Sequence, residues 1–361
     1  MESKEKLNKN TCPLLKHSLD YVSDSVDLLK DVEARKYWLK CLEGLGRQFV
    51  EKATYLHPED STAPGRAEKC KDSFHKILHN LKEDPSMLGN LSVRALLDLN
   101  EEIIRENGFK DAWMYQKRVE TTAALRGLPA RLADIDSFEN HDDRWEELVK
   151  GVLAGNMFDW GAKAILDLFE NCENFGLDEA LSKIQPRPWL LDDLDNLIKR
   201  LNGPAYQCVV IFVDNAGIDL ILGILPMARE FLKLGSTVIL SANSKPALND
   251  VTHVECQQYF SHAGQMCSVI DEALTNKRLM FYESGGTGPC LDLGNLHPDL
   301  CEIMQDADLV ILEGMGRAVH TNLYARFKVD CLKIAVIKND WWAKRLGGEK
   351  FSVLCQYEPV S

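Results

Sequence analysis

The chain has 361 residues, a formal charge of −13 from 42 basic and 55 acidic residues, and 45% hydrophobic residues. That length suits one large domain or two closely packed ones, and that apolar fraction supplies a core. The acidic balance excludes a protein whose main task is gripping nucleic acid, which needs clustered Lys and Arg against phosphate. No apolar run approaches the ~20 residues that span a bilayer.

The start, Met1 to Asn10, is polar and has no apolar segment of the signal-peptide kind. The 11 cysteines are scattered and no CxxC occurs. They read as free thiols filling a core in a reducing, cytoplasmic compartment.

The first ~200 residues carry helical periodicity. Tyr37, Leu39, Leu42, Leu45, Phe49 and Val50 recur at that spacing in one stretch, Phe74, Ile77, Leu78 and Leu81 in the next, and Leu96, Leu97, Leu99, Ile103 and Ile104 in a third. Pro58, Pro64 and Gly65 separate the first two; Asp84-Pro85 and Gly89-Asn90 separate the last two. The stretch from Arg144 to Phe169 reads as two helices meeting at Gly155-Asn156, and Pro186 and Pro188 close the region.

After Pro204 the period changes. Short β-branched runs at Cys208–Val213, Thr237–Leu240, Leu279–Tyr282, Leu309–Leu312 and Ile334–Ile337 alternate with helical segments. Runs of that length with long connections predict parallel strands and crossover helices. A last run, Phe351–Leu354, reads as an edge strand. The predicted fold class is α/β: a doubly wound, mainly parallel, Rossmann-like sheet in the C-terminal half (201–361) with a helical N-terminal half (1–200) that supplies one wall of a cleft.

Parallel α/β sheets bind ligands beyond the carboxyl ends of their strands. The predicted strands end there in Asp214-Asn215, in Asn243 followed by Asn249-Asp250, in Glu283-Ser284 with the loop Gly285–Gly288, in Glu313 to Arg317, and in Lys338-Asn339. Two carboxylates and an amide oxygen, from Asp214, Asn215 and Asp250, make a hard oxygen set for a divalent cation such as Mg or Mn. Arg317 and Lys338 are placed to neutralise a phosphoryl group, and the glycine-rich turn to offer N–H groups to phosphate oxygens if a helix follows it. Each member alone has a plainer reading: Asp214-Asn215 and Asp250 as helix caps, Glu313 and Arg317 as a surface pair, Lys338 as a solvated charge. The convergence of all five strand ends favours phosphoryl chemistry.

Other motifs fail. His75 and His79 are four apart, but Lys76 between them excludes HExxH, and no GxGxxG, GxxxxGK[ST] or GxSxG occurs. A Rossmann-type methyltransferase would need a glycine-rich first loop, which Asp214-Asn215-Ala216-Gly217 does not resemble.

The segments VVIFVDNAGIDLILGILPMARE, SANSKPALNDVTHVE, DADLVILEGMGRAVHTNLYARFK and LKIAVIKN resemble the damage-control phosphatase family, within it the subfamily marked by EGMGR, here Glu313 to Arg317. The resemblance extends through GRAEKC, LVKGVLAGNMFDWG and PRPWLLDDL, and so over nearly the whole chain. It implies a phosphatase dependent on a divalent metal (Mn, Ni, Co or Mg), acting on 4′-phosphopantetheine and its oxidised forms such as the sulfonate. It implies metal ligands at Asp214, Asn215 and Asp250, and substrate or phosphate contacts at Asn156, Asp159, Glu313, Arg317 and Lys338, to which the strand-end reading adds Asn243. Fused members carry a pantothenate kinase domain; this sequence carries none and reads as a stand-alone phosphatase. The nucleophile stays open between a metal-bound water and the Asp214 carboxylate. The alternative from another class is a non-catalytic sensor of a phosphorylated coenzyme A precursor, using the same cleft.

Overall fold

The computed structural model describes residues 10–157 and 177–360. Helices and strands are numbered over those residues. The N-terminal half forms α1 Val32–Leu56, α2 Ala63–Glu83, α3 Val93–Glu106, α4 Met114–Ser137, α5 His141–Gly155, α6 Leu177–Lys183 and α7 Leu194–Leu201. The three periodic stretches fall within α1, α2 and α3. Side-chain caps begin two of them: Asp31 accepts from the Ala34 N–H, and Ser92 from that of Ala95. The partner expected after Gly155-Asn156 lies outside the described residues, as does Asp159.

Helix α4 carries its apolar stripe, Ala124, Leu128, Leu132 and Ile135, only from its middle onward. Its buried residues include Gln116, Lys117, Glu120, Thr121 and Arg131, and it contains Pro129. The cations among them are paired in place: Lys117 Nζ lies 2.9 Å from Asp111 and 2.8 Å from Glu255, and Arg131 lies 2.7 Å from Glu147. Binary patterning does not mark the first turns of this helix, where the buried residues Gln116, Lys117, Glu120 and Thr121 are polar.

The strands are β1 Leu191–Asp192, β2 Cys208–Phe212, β3 Thr237–Ala242, β4 Leu279–Glu283, β5 Leu309–Glu313, β6 Asp330–Val336 and β7 Val353–Glu358. They form one sheet in the order β1-β7-β6-β5-β2-β3-β4. All neighbours are parallel except β6 and β7. The expected doubly wound, mainly parallel sheet is present.

Two strand expectations need correction. β6 starts at Asp330, four residues before the apolar run predicts, because its polar residues are compensated. Asp330 accepts from the hydroxyls of Tyr206 and Tyr357 at 2.6 and 2.7 Å, and Lys333 donates to the carbonyls of Leu323 and Ala325 at 2.9 and 2.8 Å. β7 is not the edge: Leu191 and Asp192 pair outside it with Leu354 and Cys355.

Successive strand residues point to opposite faces of a sheet, so each strand feeds two cores. Val209, Ile211, Val238, Leu240, Leu309 and Ile311 pack with α4, α5, α6 and α7 and with the later helices α8 Leu225–Lys233, α9 His253–Gly264 and α10 Ser268–Thr275. Val210, Phe212, Ile239, Val310 and Leu312 pack with α1, α2 and α3 and with α11 Pro298–Ile303 and α12 Asp340–Leu346. The helices of the first half thus cover both faces, and the packing runs across residue 200. Of the ten described cysteines, all free, eight are buried and two half-buried. Among the described residues no helix is long and apolar enough to cross a membrane.

Candidate active site

Strand order reverses between β2 and β5. The chain runs outward through β3 and β4 on one side and through β6 on the other. A crevice opens at such a reversal, beyond the carboxyl ends of the two strands. Asp214 and Asn215 follow β2, and Glu313 is the last residue of β5. The Asp214 N–H donates to Glu313 Oε2 at 2.8 Å.

The turn after Asn215 passes through Gly217 at φ +76° and opens into a wide, π-type helical segment, Asp219–Ile224, in which the Leu225 N–H reaches back to the Leu220 carbonyl. That winding buries Asp219 behind Asn215. A second π-type segment, Met315–Thr321, follows β5 and carries Arg317. Between β5 and this segment Gly314 adopts φ +84°. A side chain there would also run into the Asp214 carboxylate, so both conformation and space require glycine.

The result is a buried, acid-rich network. Asp214, Asp219 and Glu313 bring carboxyl oxygens within 4.8 Å of one another, a cluster able to hold a metal ion. Asn156, at the end of α5, aims its amide nitrogen at all three: 2.8 Å to Asp214 Oδ2, 2.8 Å to Asp219 Oδ2 and 2.9 Å to Glu313 Oε1. Asn215 Nδ2 lies 3.1 Å from Asp214 Oδ2 and 2.9 Å from Asp219 Oδ2. An amide nitrogen carries two hydrogens, so acceptors outnumber donors here. Asp219 Oδ1 is buried with no partner among the described residues. A cation or a carboxyl proton answers that excess.

Arg317 is the cation of the network. It pairs with Asp214 through Nη1, and through Nη2 with Asp250 Oδ2 and Asn243 Oδ1, each at 3.0 Å. Asn243 Nδ2 also donates to Asp250 at 3.1 Å. Asp250 pairs across a short antiparallel bridge with Asn215, and the Val251 N–H donates to the Asp214 carbonyl at 3.0 Å. Residues 36 positions apart in sequence therefore face one another through one guanidinium.

Electrostatics follow from burial. Loss of water, then the charges of Asp219 and Asp214, push Glu313 well above the ordinary carboxylic range. Burial and the Asp214 charge raise Asp219 to about 6, and burial raises Asp250 to about 7 against the opposing pull of Arg317. Burial works against charge on Arg317, but Asp250, Asp214 and Glu313 more than offset it and keep it protonated.

The plainer readings of the acids do not hold. The cap of α9 is Thr252, which forms a reciprocal capping box with Glu255, and Asp250 accepts from Arg317 and Asn243 through Oδ2. Glu313 and Arg317 are not a surface pair, being 1% and 2% exposed. Lys338 is half-buried beyond β6, where its backbone N–H points at Met315 Sδ, 3.1 Å away. It adjoins the network through the Gly314–Arg317 turn. The Gly285–Gly288 loop does not open a helix, since α11 begins at Pro298. The N–H groups of Gly285 and Gly286 are taken by Ser244 Oγ and Ser284 Oγ, so those two are not free for a phosphate.

Asp219 is the member of the acid network that sequence reasoning passed over. Its signal was present: an ionisable residue inside the apolar run Ile218–Ile224.

A family model described as the damage-control phosphatase ARMT1-like domain matches residues 39–354. A mouse protein named 4′-phosphopantetheine phosphatase is 39% identical, over 96% of this chain and 48% of its own length. The chain thus spans about half of that relative. A damage-control phosphatase of Arabidopsis thaliana is 38% identical over 82% of this chain and 81% of its own. In fold, the crystal structure of a DUF89 family protein from Pyrococcus horikoshii aligns with a TM-score of 0.61 and 17% identity, over 90% of this chain and 98% of that one.

Proposed function

From the premise that this chain belongs to the damage-control phosphatase family, we propose that it is a divalent-metal-dependent phosphomonoester hydrolase whose substrate is 4′-phosphopantetheine and its oxidised forms. The observation that carries the proposal is the buried carboxylate cluster at the reversal of strand order, faced by one locked arginine. A structural core gains nothing from so many acids in so little water; ion binding explains them.

In this reading Asp214, Asn215 and Asp250 hold the cation, Asp214 being the member they share with the carboxylate cluster, while Asp219 and Glu313 add to its field from behind. Asn215 turns its amide nitrogen toward Asp214 and Asp219, which leaves its oxygen as the donor atom. Oxygen donors of this kind suit Mg, Mn, Co or Ni. When bound, such an ion withdraws charge from a phosphoryl oxygen.

The protein's own groups do the rest. Arg317, fixed by Asp214, Asp250 and Asn243, offsets charge on the transferring phosphoryl group, and Lys338 adds a second positive charge from the β6 end. Asn156 keeps the three carboxyl groups at fixed spacing. Glu313 secures the Asp214 backbone. The free thiols support a reducing, cytoplasmic setting, where oxidised phosphopantetheine would be the damaged species.

The test is phosphate release from 4′-phosphopantetheine and its sulfonate by the purified chain with Mn, Ni, Co or Mg added singly. Release with at least one metal, and its loss in Asp214→Ala with the fold retained, is expected. A folded, metal-loaded chain that binds phosphopantetheine and releases nothing is a sensor instead.

A further inference from the structure

Residues 10–31 form no helix, and their one ladder contact is a bridge between Leu15 and Phe327. They precede the residues that the family model matches. They nevertheless strap two connections together. On one side the Cys12 N–H donates to the Leu293 carbonyl at 2.8 Å, and the Asn10 carbonyl accepts from the Leu296 N–H at 2.7 Å. On the other, the Lys16 N–H donates to the Arg326 carbonyl at 2.9 Å, the Leu14 carbonyl accepts from the Lys328 N–H at 2.8 Å, and the Ser25 N–H donates to the His320 carbonyl at 3.0 Å. The first connection follows Gly288; the second runs from the π-type segment that carries Arg317 to β6.

Within the strap, Tyr21 joins the two. Its hydroxyl accepts from the Leu293 N–H at 3.0 Å and gives its own proton to Asn322 Oδ1, 2.7 Å away. Asn322 is buried, and its Nδ2 donates to the carbonyls of Arg317 at 2.8 Å and Leu291 at 3.0 Å. Each bond fixes the direction of the next. A hydroxyl has one proton to give, and the Asn322 amide cannot turn over without setting its oxygen against two carbonyls. Burial pushes the Tyr21 phenol above its ordinary value, against the pull of the Leu293 N–H, so it keeps its proton. The line ends on the backbone of the residue whose guanidinium faces Asp214 and Asp250. That support matters because the last carbonyls of a helical segment lack partners within it.

We propose that Tyr21 is a positioning residue for the active-site arginine, acting through Asn322 to hold the Arg317 backbone, so that the segment ahead of the family match belongs to the working apparatus of the enzyme. The proposal rests on the phosphatase reading above for what Arg317 does, and on geometry for how it is held. Removing the hydroxyl leaves Asn322 Oδ1 and the Leu293 N–H without this partner and frees the amide to turn. A side chain that acts on a reacting group has to be held within about 0.5 Å. An error of about 1 Å costs up to ~100-fold in rate.

The test compares the wild-type chain with Tyr21→Phe, which keeps the ring and removes the hydroxyl, and with Leu28→Val. Leu28 is a buried residue of the same strap whose N–H goes to the Leu91 carbonyl, away from the tie. Phosphate release from p-nitrophenyl phosphate is measured with Mn, as kcat and KM separately, beside Tm. On arginine-¹⁵N-labelled protein with Mg, hydrogen exchange at the Arg317 guanidinium is followed by NMR, its signals assigned from their loss in Arg317→Lys. Tyr21→Phe is expected to lower kcat by about 3–30-fold with KM unchanged, since the displaced group acts on the transition state, and to speed exchange at Arg317. Leu28→Val is expected to lower Tm and to leave kcat per folded molecule and exchange at Arg317 unchanged. Unchanged kcat and unchanged exchange in Tyr21→Phe would overturn the tie and leave the phosphatase. Equal losses of kcat in the two variants, in step with Tm, would also overturn it, because the strap would then serve stability alone. Faster exchange in Tyr21→Phe, with no phosphate released by the wild type or either variant, would overturn the phosphatase and leave the tie.

Discussion

Glu313 closes β5 and receives the Asp214 N–H at 2.8 Å, so the two strands flanking the reversal of strand order are tied at their ends by one carboxyl group. Burial holds that carboxyl in its neutral form well above the usual range. Glutamine imitates a neutral glutamic acid. Glu313→Gln is therefore expected to unfold within about 1 kcal/mol of the wild type at pH 7. Glu313→Ala strands the Asp214 N–H and Asn156, and is expected to cost about 2–4 kcal/mol. Urea midpoints at constant m-value check both. Equal losses for the two variants would mean that Glu313 works as a charge.

Asp219 stands behind Asn215 with one oxygen unpartnered. Removing its charge relieves crowding among acids but weakens the field that favours a cation. Asp219→Asn is expected to match or exceed the wild-type Tm without metal, and to gain less on adding Mn. A ligand at a hundred times its Kd stabilises by about 2.7 kcal/mol, a shift of several degrees that thermal scans resolve. The same metal-induced shift in both proteins would remove Asp219 from the site.

Gly314 sits at φ +84° over the Asp214 carboxylate. Gly314→Ala meets strain and a clash together, which together are expected to cost about 2–4 kcal/mol and to lower phosphate release by more than the loss of folded protein explains. By contrast Gly347, also left-handed at φ +80°, caps α12 with nothing nearby. Gly347→Ala is expected to cost about 1–2 kcal/mol with activity per folded molecule unchanged.

His320 gives the pH dependence of stability a sign. It is 8% exposed, accepts from Trp342 Nε1 at 2.9 Å through Nδ1, and stands edge-on to Trp38. Burial lowers its pKa from 6.5 to about 3. Between those values the unfolded chain binds a proton that the folded chain refuses, so stability falls as pH drops below about 6.5, by at most ~1.4 kcal/mol per unit. Glu101, raised to about 7 by burial, acts in the opposite direction, so the comparison must be with a variant. His320→Gln is expected to flatten the acid limb between pH 6 and 4. Parallel curves of urea midpoint against pH would show that His320 titrates normally.

The sheet was legible because strands buried on both faces leave apolar runs of the right length, and because each ends in a polar residue. The network was legible at Asp214, Asn215, Asp250, Glu313 and Arg317 because they stand at those ends. Asn156 entered only through the family resemblance, since a helix-terminal asparagine after Gly155 has nothing local to mark it. Asp219 was hidden by the π-type winding, which turns a position five residues past Asp214 back toward it. Helix α4 was obscured because its first turns bury polar residues and its second half is interrupted by Pro129. The glycine-rich loop misled because composition does not say which of its N–H groups are already spent.

The helices of the first half lie on both faces of the sheet, three on one side and four on the other. A fragment starting near residue 201 would keep most strands and most acids, yet expose two wide greasy surfaces at once. Such a piece would coagulate before it could be assayed. Any dissection of this protein into a catalytic part and an accessory part has to be made by point substitution, because scissors would remove the lining together with the coat.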